Sequence, residues 1–485
     1  MSDKKASSKQ IVSGFLWKFG ERIVAQGISF LISLVLARIL LPEQYGSIAL
    51  VLVFINIANV LVSDGLGASL IQDKNSNDVD FSSMFFCSFV FAGILYFVLF
   101  ICAPFIAEFY NNMELIPVIR VLSLQIPLSA VKSIQHAFVS KHMLFRKFFW
   151  STLGGTIVSG VIGIIMAYNG FGVWALVEQY LVNSIVDMSV LFFTVKWRPK
   201  MCFSFTSVRN HLSYSWKLLA ASLINTVYSE IRSLIMGRIY TEADLAYNTK
   251  GNQFPTLFIN NIDTSISSVL FPAMSKVNDD PKALKQLTRK SMKITSFIIF
   301  PLMVGMISVA DSMVRVLLTD RWIGCVPFLQ IACVYWMFQP CLTANNQALK
   351  ASGRSDLCLK LEIYKKIIGF ALVAATMNIS VFALAFSNAI FALISCIINV
   401  FPVRKVINYG YMEQLLDMLP ALVLSIIMGI VVKIIGMIKL GTIPLLVLQI
   451  VIGAAIYISL SYITRNESFL TLLSFARSLM RRKNS

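Results

Sequence analysis

The chain has 485 residues, of which 57% are hydrophobic and only 14% are charged, and its net charge is +18. A globular chain has about 25% charged and roughly 45–50% apolar residues, so a disordered protein, a collagen-like protein and an ordinary cytosolic enzyme are excluded. The mean hydropathy of +0.74 indicates a polytopic membrane protein. The excess of cations is then typical of basic cytoplasmic loops, and no nucleic-acid partner is expected.

Apolar segments long enough to cross a membrane, which takes about 20 residues, predict about fourteen helices. A turn signal at Asn169-Gly170 divides one long charge-free stretch into two helices, and Met377-Asn378 divides another. In chain order the predicted spans are 12–40, 45–66, 81–107, 114–138, 147–168, 171–195, 208–240, 245–274, 292–318, 325–349, 358–377, 379–402, 416–436 and 441–464.

The loops between these spans test the helix count, because basic residues concentrate on the cytoplasmic side of a membrane. Alternate loops carry the Lys and Arg residues, among them 196–209, 276–293 and 350–360. The intervening loops, such as 108–114 and 241–244, are short and poor in cations. An odd number of helices would break this alternation, so we expect both termini in the cytoplasm.

Three sequence matches at similar offsets indicate an internal duplication. Segment 33–39 (SLVLARI) matches 233–239 (SLIMGRI), Trp17-Lys18 matches Trp216-Lys217, and Phe54-Ile55-Asn56 matches Phe258-Ile259-Asn260. Six predicted helices separate the copies, and an even number gives both halves the same orientation. Parallel repeats are a transporter architecture with the substrate between the halves. We therefore expect an all-α polytopic membrane protein with a six-helix lobe at 1–200, a second at 201–405, two additional helices at 406–464 and a basic cytoplasmic tail at 465–485.

Several longer segments resemble a known family of membrane proteins. Residues 36–54 (LARILLPEQYGSIALVLVF) and 64–72 (DGLGASLIQ) resemble the N-terminal signature of the polysaccharide transporters. These are Wzx-like flippases of the multidrug/oligosaccharidyl-lipid/polysaccharide exporter superfamily. Residues 246–277 and 316–334 resemble the branch of colanic acid and teichuronic acid exporters more closely still.

The resemblance implies a function and a set of partners. It implies two six-helix lobes around a central cavity, which would move undecaprenyl-pyrophosphate-linked oligosaccharide repeat units across the bacterial inner membrane by alternating access. The expected partners are this lipid-linked substrate, the membrane lipids, and a polysaccharide polymerase with its assembly proteins. Such a protein is a transporter for lipopolysaccharide or exopolysaccharide synthesis and not an enzyme.

A pyrophosphate head group calls for cations in the cavity, where Arg offers a planar fork and Lys a point charge. Charged side chains inside membrane helices are costly, so they usually face a cavity or each other. We predict that Arg232 and Lys132 bind the head group, with Arg120 or Lys217 in support. A structural ion pair or an interfacial side chain is the alternative for each of them.

Polar residues at helical spacing are predicted to line the same cavity, although hydrogen bonds between helices would explain them equally well. The predicted lining residues are Asn225, Ser229, Asn252, Asn260, Asn56 and Gln125. Asp263 and Glu230 are expected to balance charge or to take up a coupling proton or sodium ion, unless each pairs with a neighbouring cation. No other cofactor and no metal are expected, because the three His residues show no metal-ligand spacing.

Three other functions compete with this interpretation. A cation-coupled drug or metabolite antiporter of the same superfamily would suit an acidic cavity, whereas Arg and Lys prevail among the intramembrane charges. A lipid II flippase is a nearer relative and remains open. A membrane enzyme that modifies or polymerises polysaccharide is less favoured, because a polymerase would be expected to carry a large external loop and every predicted external loop is short.

Overall fold

A computed structural model describes residues 24–63, 66–73, 76–438 and 440–483. Every regular element within these ranges is helical, and they contain no strand. The beginning of the first predicted span, including Trp17 and Lys18 of the repeat, lies outside the described residues. The all-helical architecture expected from the hydropathy pattern is therefore confirmed for the part of the chain that the structure describes.

The chain divides into two compact units, Met1–Ala246 and Tyr247–Ser485. The first unit contains α1 (Val24–Ile39), α2 (Pro42–Ser63), α3 (Leu66–Gln72), α4 (Asp78–Phe109), α5 (Leu115–Leu122), α6 (Gln125–Lys141), α7 (Phe145–Tyr168), α8 (Val173–Thr194) and α9 (Phe205–Ile239). Helix α10 (Glu242–Ser275) begins in the first unit and continues into the second.

The second unit continues with helices in a similar order. They are α11 (Pro281–Leu317), α12 (Cys325–Trp336), α13 (Gln339–Ala351), α14 (Ser355–Thr376), α15 (Val381–Ile407), α16 (Tyr411–Ile435), α17 (Thr442–Ile463) and α18 (Glu467–Lys483). Both predicted turns are confirmed, because α7 and α8 are joined across Asn169-Gly170 and α14 and α15 across Met377-Asn378.

The helix order of the second unit repeats that of the first. A long helix (α4 or α11) is followed by a broken pair (α5–α6 or α12–α13) and then by a hairpin (α7–α8 or α14–α15). Each broken pair has a proline just after its break, Pro127 in α6 and Pro340 in α13. Proline has no N–H to donate to the carbonyl four residues earlier. That carbonyl belongs to Ser123 for Pro127 and to Trp336 for Pro340, and the helix is interrupted just after each of them. This regularity agrees with the predicted duplication.

The repeat is also visible at the helix ends. Helix α1 ends at Ile39 and α9 at Ile239, the same offset of 200 that the sequence shows. The long helices begin at comparable caps: Asn77 accepts from the backbone of Val79 and Asp80 before α4, and Asp280 accepts from Lys282 and Ala283 before α11. An N-cap side chain satisfies the first N–H groups of a helix, which have no partner within it.

Within the described residues, ten helical segments are long and apolar enough to cross a membrane, with α5–α6 and α12–α13 each counted as one. The other four of the fourteen predicted spans coincide with α1, whose described part is shorter, and with the more polar helices α9, α10 and α14. Large apolar side chains such as Phe97, Ile101 and Phe105 are exposed along α4. Apolar surface of that extent indicates contact with lipid, so the chain is a multi-pass membrane protein.

The two units do not divide where the repeat divides. The contact boundary falls at Ala246/Tyr247, because α9 packs against α2, α3 and α4 of the first unit. The predicted lobes divide at 200/201, as the sequence duplication requires. A boundary defined by contacts does not test a boundary defined by a sequence repeat. The division into lobes at 200/201 therefore stays a prediction.

The basic tail forms a helix, α18, and packs against α11. Glu467 forms an ion pair with Lys293, with Oε2 and Nζ 2.7 Å apart. The rings of Phe469 and Phe297 lie 6.3 Å apart. The predicted basic tail is therefore helical over Glu467–Lys483.

Candidate functional site

Arg232 lies two turns before the end of α9, and only 7% of its surface is exposed. Its guanidinium lies 5.6 Å from the centre of the Tyr228 ring, one turn earlier on the same face of the helix. An aromatic face attracts a cation and also fixes the plane of a guanidinium. The first unit therefore holds a buried cation beside an aromatic ring at the position that the sequence singled out.

The predicted polar face of α9 runs from exposed to buried. Asn225 and Ser229 are exposed, and the Ser229 hydroxyl donates to the Asn225 carbonyl at 2.9 Å. Arg232 follows on the same face and is buried.

Two of the predicted residues contact each other between α2 and α9. The Asn56 amide donates to Glu230 Oε1 at 3.0 Å. The helices approach closely at Gly237, where a Cβ atom would lie 2.0 Å from Leu50 Cδ2. A carboxylate can accept up to about four hydrogen bonds, so a single neutral donor leaves Glu230 with capacity to bind a proton or a cation.

Lys132 forms an ion pair with Asp187, with Nζ and Oδ2 3.1 Å apart. The Lys132 side chain is 26% exposed and that of Asp187 is 8% exposed. Sequence reasoning singled out Lys132 as an intramembrane cation and did not pair it with Asp187. The available signal was that the two residues are predicted to lie at a similar depth in the membrane. Lys132 lies within three turns of the C-terminal end of α6, and Asp187 within three turns of that of α8. Both helices were predicted to run toward the cytoplasm.

The other two predicted cations lie beside aromatic rings. Arg120, on the short helix α5, donates from Nε to the Phe100 carbonyl at 3.4 Å, and its guanidinium lies 4.4 Å over the Phe100 ring. Lys217 is exposed on α9, with Nζ 6.0 Å from the Trp216 ring. Both contacts leave the cation's hydrogen-bonding capacity largely unused, because an aromatic face accepts no conventional hydrogen bond.

The remaining predicted residues are placed by contacts within their own unit. Gln125 is buried in the first turn of α6, directly after the break. In the second unit, the Asn252 amide donates to the Asn248 carbonyl at 3.0 Å, and the Asn260 carbonyl accepts from Thr264 at 2.6 Å. The Thr343 hydroxyl of α13 donates to Asp263 Oδ1. Asp263, like Glu230, thus accepts from a neutral side chain.

Sequence reasoning missed a charge cluster centred on Asp417 of α16. The guanidinium of Arg289 binds both carboxylate oxygens, at 2.7 and 2.8 Å. The Tyr409 hydroxyl donates to Oδ2 at 2.8 Å, and Lys293 Nζ lies 3.5 Å from Oδ1. The signal was Asp417 at the start of the apolar stretch of α16, one turn after Glu413, together with two cations one turn apart on α11. Because both oxygens have strong partners, the cluster serves to hold α11, α16 and the preceding loop together.

Comparison with known proteins gives a consistent result. Residues 35–327 match the model of a family described as polysaccharide biosynthesis protein. The chain is 26% identical to the lipopolysaccharide biosynthesis protein WzxC of Escherichia coli K12, over 88% of this chain and 89% of that protein. It is 23% identical to the succinoglycan biosynthesis transport protein ExoT of Rhizobium meliloti, over 97% of each.

A likeness to a solved structure supports the same fold. The structure of the lipid II flippase MurJ in an inward closed conformation has a TM-score of 0.76, covers 93% of this chain and 98% of that chain, and is 15% identical. At this level of identity the likeness concerns the fold alone. The chain therefore has the all-helical fold of a membrane transporter, as the sequence predicted.

Proposed function

We propose that this chain, which belongs to the polysaccharide biosynthesis protein family, is a flippase for undecaprenyl-pyrophosphate-linked oligosaccharide repeat units. The observation that carries the proposal is the match over 97% of both chains to a succinoglycan biosynthesis transport protein. A match over the whole length supports a shared activity of the whole chain, and the fold agrees with that of a lipid flippase. The family resemblance expected from the sequence is confirmed, and the chain is a transport protein and not an enzyme.

The proposed setting is the bacterial inner membrane, with both termini in the cytoplasm. The alternation of basic and cation-poor loops supports this orientation. The substrate would enter from the cytoplasmic leaflet and leave toward a polysaccharide polymerase and its assembly proteins. Alternating access would expose the head-group site to one side at a time.

The proposed site for the pyrophosphate is the cation Arg232, supported by Lys132, Arg120 and Lys217. Arg232 is the strongest of the four, because it is buried and its guanidinium lies 5.6 Å from the centre of the Tyr228 ring. A planar guanidinium can make two parallel hydrogen bonds to a phosphate group. The lining residues of the first unit, Asn225, Ser229, Asn56 and Gln125, would bind the sugar hydroxyls. Asn252 and Asn260 of the second unit stay predicted lining residues.

Transport would be coupled to a proton or a sodium ion through Glu230 or Asp263. Each of these carboxylates accepts a hydrogen bond from a neutral side chain, Asn56 or Thr343. Asp187 is a weaker candidate because it already forms an ion pair with Lys132. A carboxylate that has no cation as its partner gains more from binding a proton or Na⁺.

Deletion of the gene, with complementation by the intact chain, tests the proposed function. Cells lacking the protein should accumulate undecaprenyl-linked repeat units that face the cytoplasm, and they should lose a surface polysaccharide. Complementation should reverse both effects. An unchanged surface polymer together with greater sensitivity to cationic drugs would instead support the antiporter. Accumulation of lipid II would support the lipid II flippase. A double deletion removes the compensation that a second flippase could provide.

A further inference from the structure

The second unit contains an amphipathic cavity of about 600 Å³ that the proposed transport mechanism does not use. Its walls come from the start of α11, the turn between α13 and α14, the first turns of α14 and the last turns of α15. All residues that line it belong to the second unit. A cavity of this volume is within the usual range for a small-molecule ligand, about 300–1,000 Å³.

The charge around the cavity is of one sign. Arg354, Lys360 and Lys405 line it, and no acidic residue is among its described lining residues. Lys360 and Lys405 are exposed, and Lys405 Nζ lies 4.6 Å over the ring of Phe401. Three cations around one cavity, one of them a planar guanidinium, suit a phosphate group.

The remaining wall of the cavity is apolar and accessible. Leu361, Tyr364 and Phe401 line it, with 60% of Tyr364 and 57% of Phe401 exposed. A free phosphate ion would leave these apolar surfaces uncovered. A molecule with an anionic head and an apolar tail would satisfy the cations and cover the aromatic rings at the same time.

The cavity also lies among segments that the sequence assigns to the cytoplasmic side of the membrane. Its three segments belong to loops 276–293, 350–360 and the end of α15, and the distribution of basic residues places all of them on the cytoplasmic side. Tyr and Lys side chains are typical of this interface, and the cytoplasmic leaflet is rich in anionic lipid.

We propose that this cavity is a binding site for an anionic glycerophospholipid of the cytoplasmic leaflet. The phosphate binds Arg354, Lys360 and Lys405, and the upper part of an acyl chain covers Leu361, Tyr364 and Phe401. The transported lipid is a different molecule, because its proposed head-group cations belong to the first unit. The inference depends on the orientation of the chain and not on the identity of the transported sugar.

Lipid binding to the purified full-length protein tests the proposal. Native mass spectrometry measures binding of phosphatidylglycerol, with phosphatidylcholine of the same acyl chains as the uncharged reference. The variant Lys360→Gln/Lys405→Gln should weaken phosphatidylglycerol binding by about 25-fold, since each cation near an anionic surface contributes roughly a factor of five. The matched control, Lys276→Gln/Lys290→Gln, removes two exposed lysines that lie outside the cavity, and it should bind as the wild type does.

A second variant separates a phospholipid from a simple anion. Leu361→Ser should weaken phosphatidylglycerol binding and leave binding of inorganic phosphate unchanged. Equal losses in the lysine variant and in its control would overturn the proposal, because binding would then reflect overall charge. The proposal would also be overturned if undecaprenyl pyrophosphate bound at this cavity and the protein bound phosphatidylglycerol no better than phosphatidylcholine. Melting temperatures equal to that of the wild type would show that the variants are folded. If the gene deletion left surface polysaccharide unchanged, the proposed transport function would fail, but this binding result would still stand.

Discussion

The two units hold their buried carboxylates in different ways. In the second unit, both oxygens of Asp417 are bound, by Arg289, Lys293 and Tyr409. In the first unit, Asp187 is bound through one oxygen to Lys132, while its buried Oδ1 has no hydrogen-bond partner among the described residues.

The difference indicates which charges are structural and which are available for function. A fully bound carboxylate contributes stability and has no capacity for a ligand. A partly bound one costs stability, because a buried polar atom without a partner is unfavourable. Such a cost is typical of functional sites. The comparison therefore predicts that changes around Asp417 reduce protein stability most, and that changes in the first unit act more on transport.

The largest effect on stability is expected from Asp417→Asn. This change leaves Arg289 and Lys293 beside a neutral group and breaks a pair whose carboxylate is only 5% exposed. Breaking a buried ion pair costs about 3–5 kcal/mol. Thermal unfolding of the purified protein should show a large drop in melting temperature, and the amount of protein in the membrane should fall. An unchanged melting temperature would mean that the cluster is not structural.

A smaller loss of stability is expected from Asp187→Asn, about 1–3 kcal/mol, because the partly exposed Lys132 retains access to other partners. Lys132→Gln combined with Asp187→Asn should recover most of it, since no charge is then left unpaired. If Lys132 also binds the substrate phosphate, the double variant should be stable but poor in transport. Full transport by the stable double variant would remove Lys132 from the proposed site.

The smallest effect is expected from Asp78→Asn, which breaks an exposed ion pair with Lys200. Exposed pairs contribute little to stability. The hydrogen bond to Asp78 raises the pKa of Lys200. The ion pair therefore contributes its full stabilisation at pH values below the ordinary lysine pKa. This stabilisation is lost as the pH rises through the raised pKa. Melting curves at neutral pH should therefore nearly coincide with those of the wild type. A drop comparable to that of Asp417→Asn would contradict the difference between bound and exposed carboxylates.

The helices were predictable from the sequence because each depends on local hydropathy. Turns such as Asn169-Gly170 interrupt an apolar stretch and mark a loop directly. The breaks after α5 and α12 were not predicted, because the apolar pattern continues across Ser123-Leu124 and Met337-Phe338. Proline provided the signal there, but it also occurs inside unbroken stretches of helix, as at Pro104 in α4.

The contacts of the candidate site were less predictable, because they join residues far apart in the sequence. The sequence identified Arg232 as a cation within a helix, but burial over Tyr228 required the structure. The pairing of Lys132 with Asp187 and of Asn56 with Glu230 depends on which helices pack together. Hydropathy and spacing describe one helix at a time and carry little information on such neighbours.

The central claim is that Arg232 binds the phosphate of the transported lipid, and a transport measurement on three variants tests it. Surface polysaccharide and membrane protein level are measured together for Arg232→Ala, Arg232→Lys and the control Arg209→Ala, which removes an exposed arginine from the same helix. Arg232→Ala should abolish transport at a near-normal protein level, Arg232→Lys should restore part of it through the retained charge, and the control should transport normally. Wild-type transport by Arg232→Ala at a normal level would contradict the claim. So would a low protein level that Glu230→Gln or Asp263→Asn restores, because Arg232 would then be a structural partner of that carboxylate.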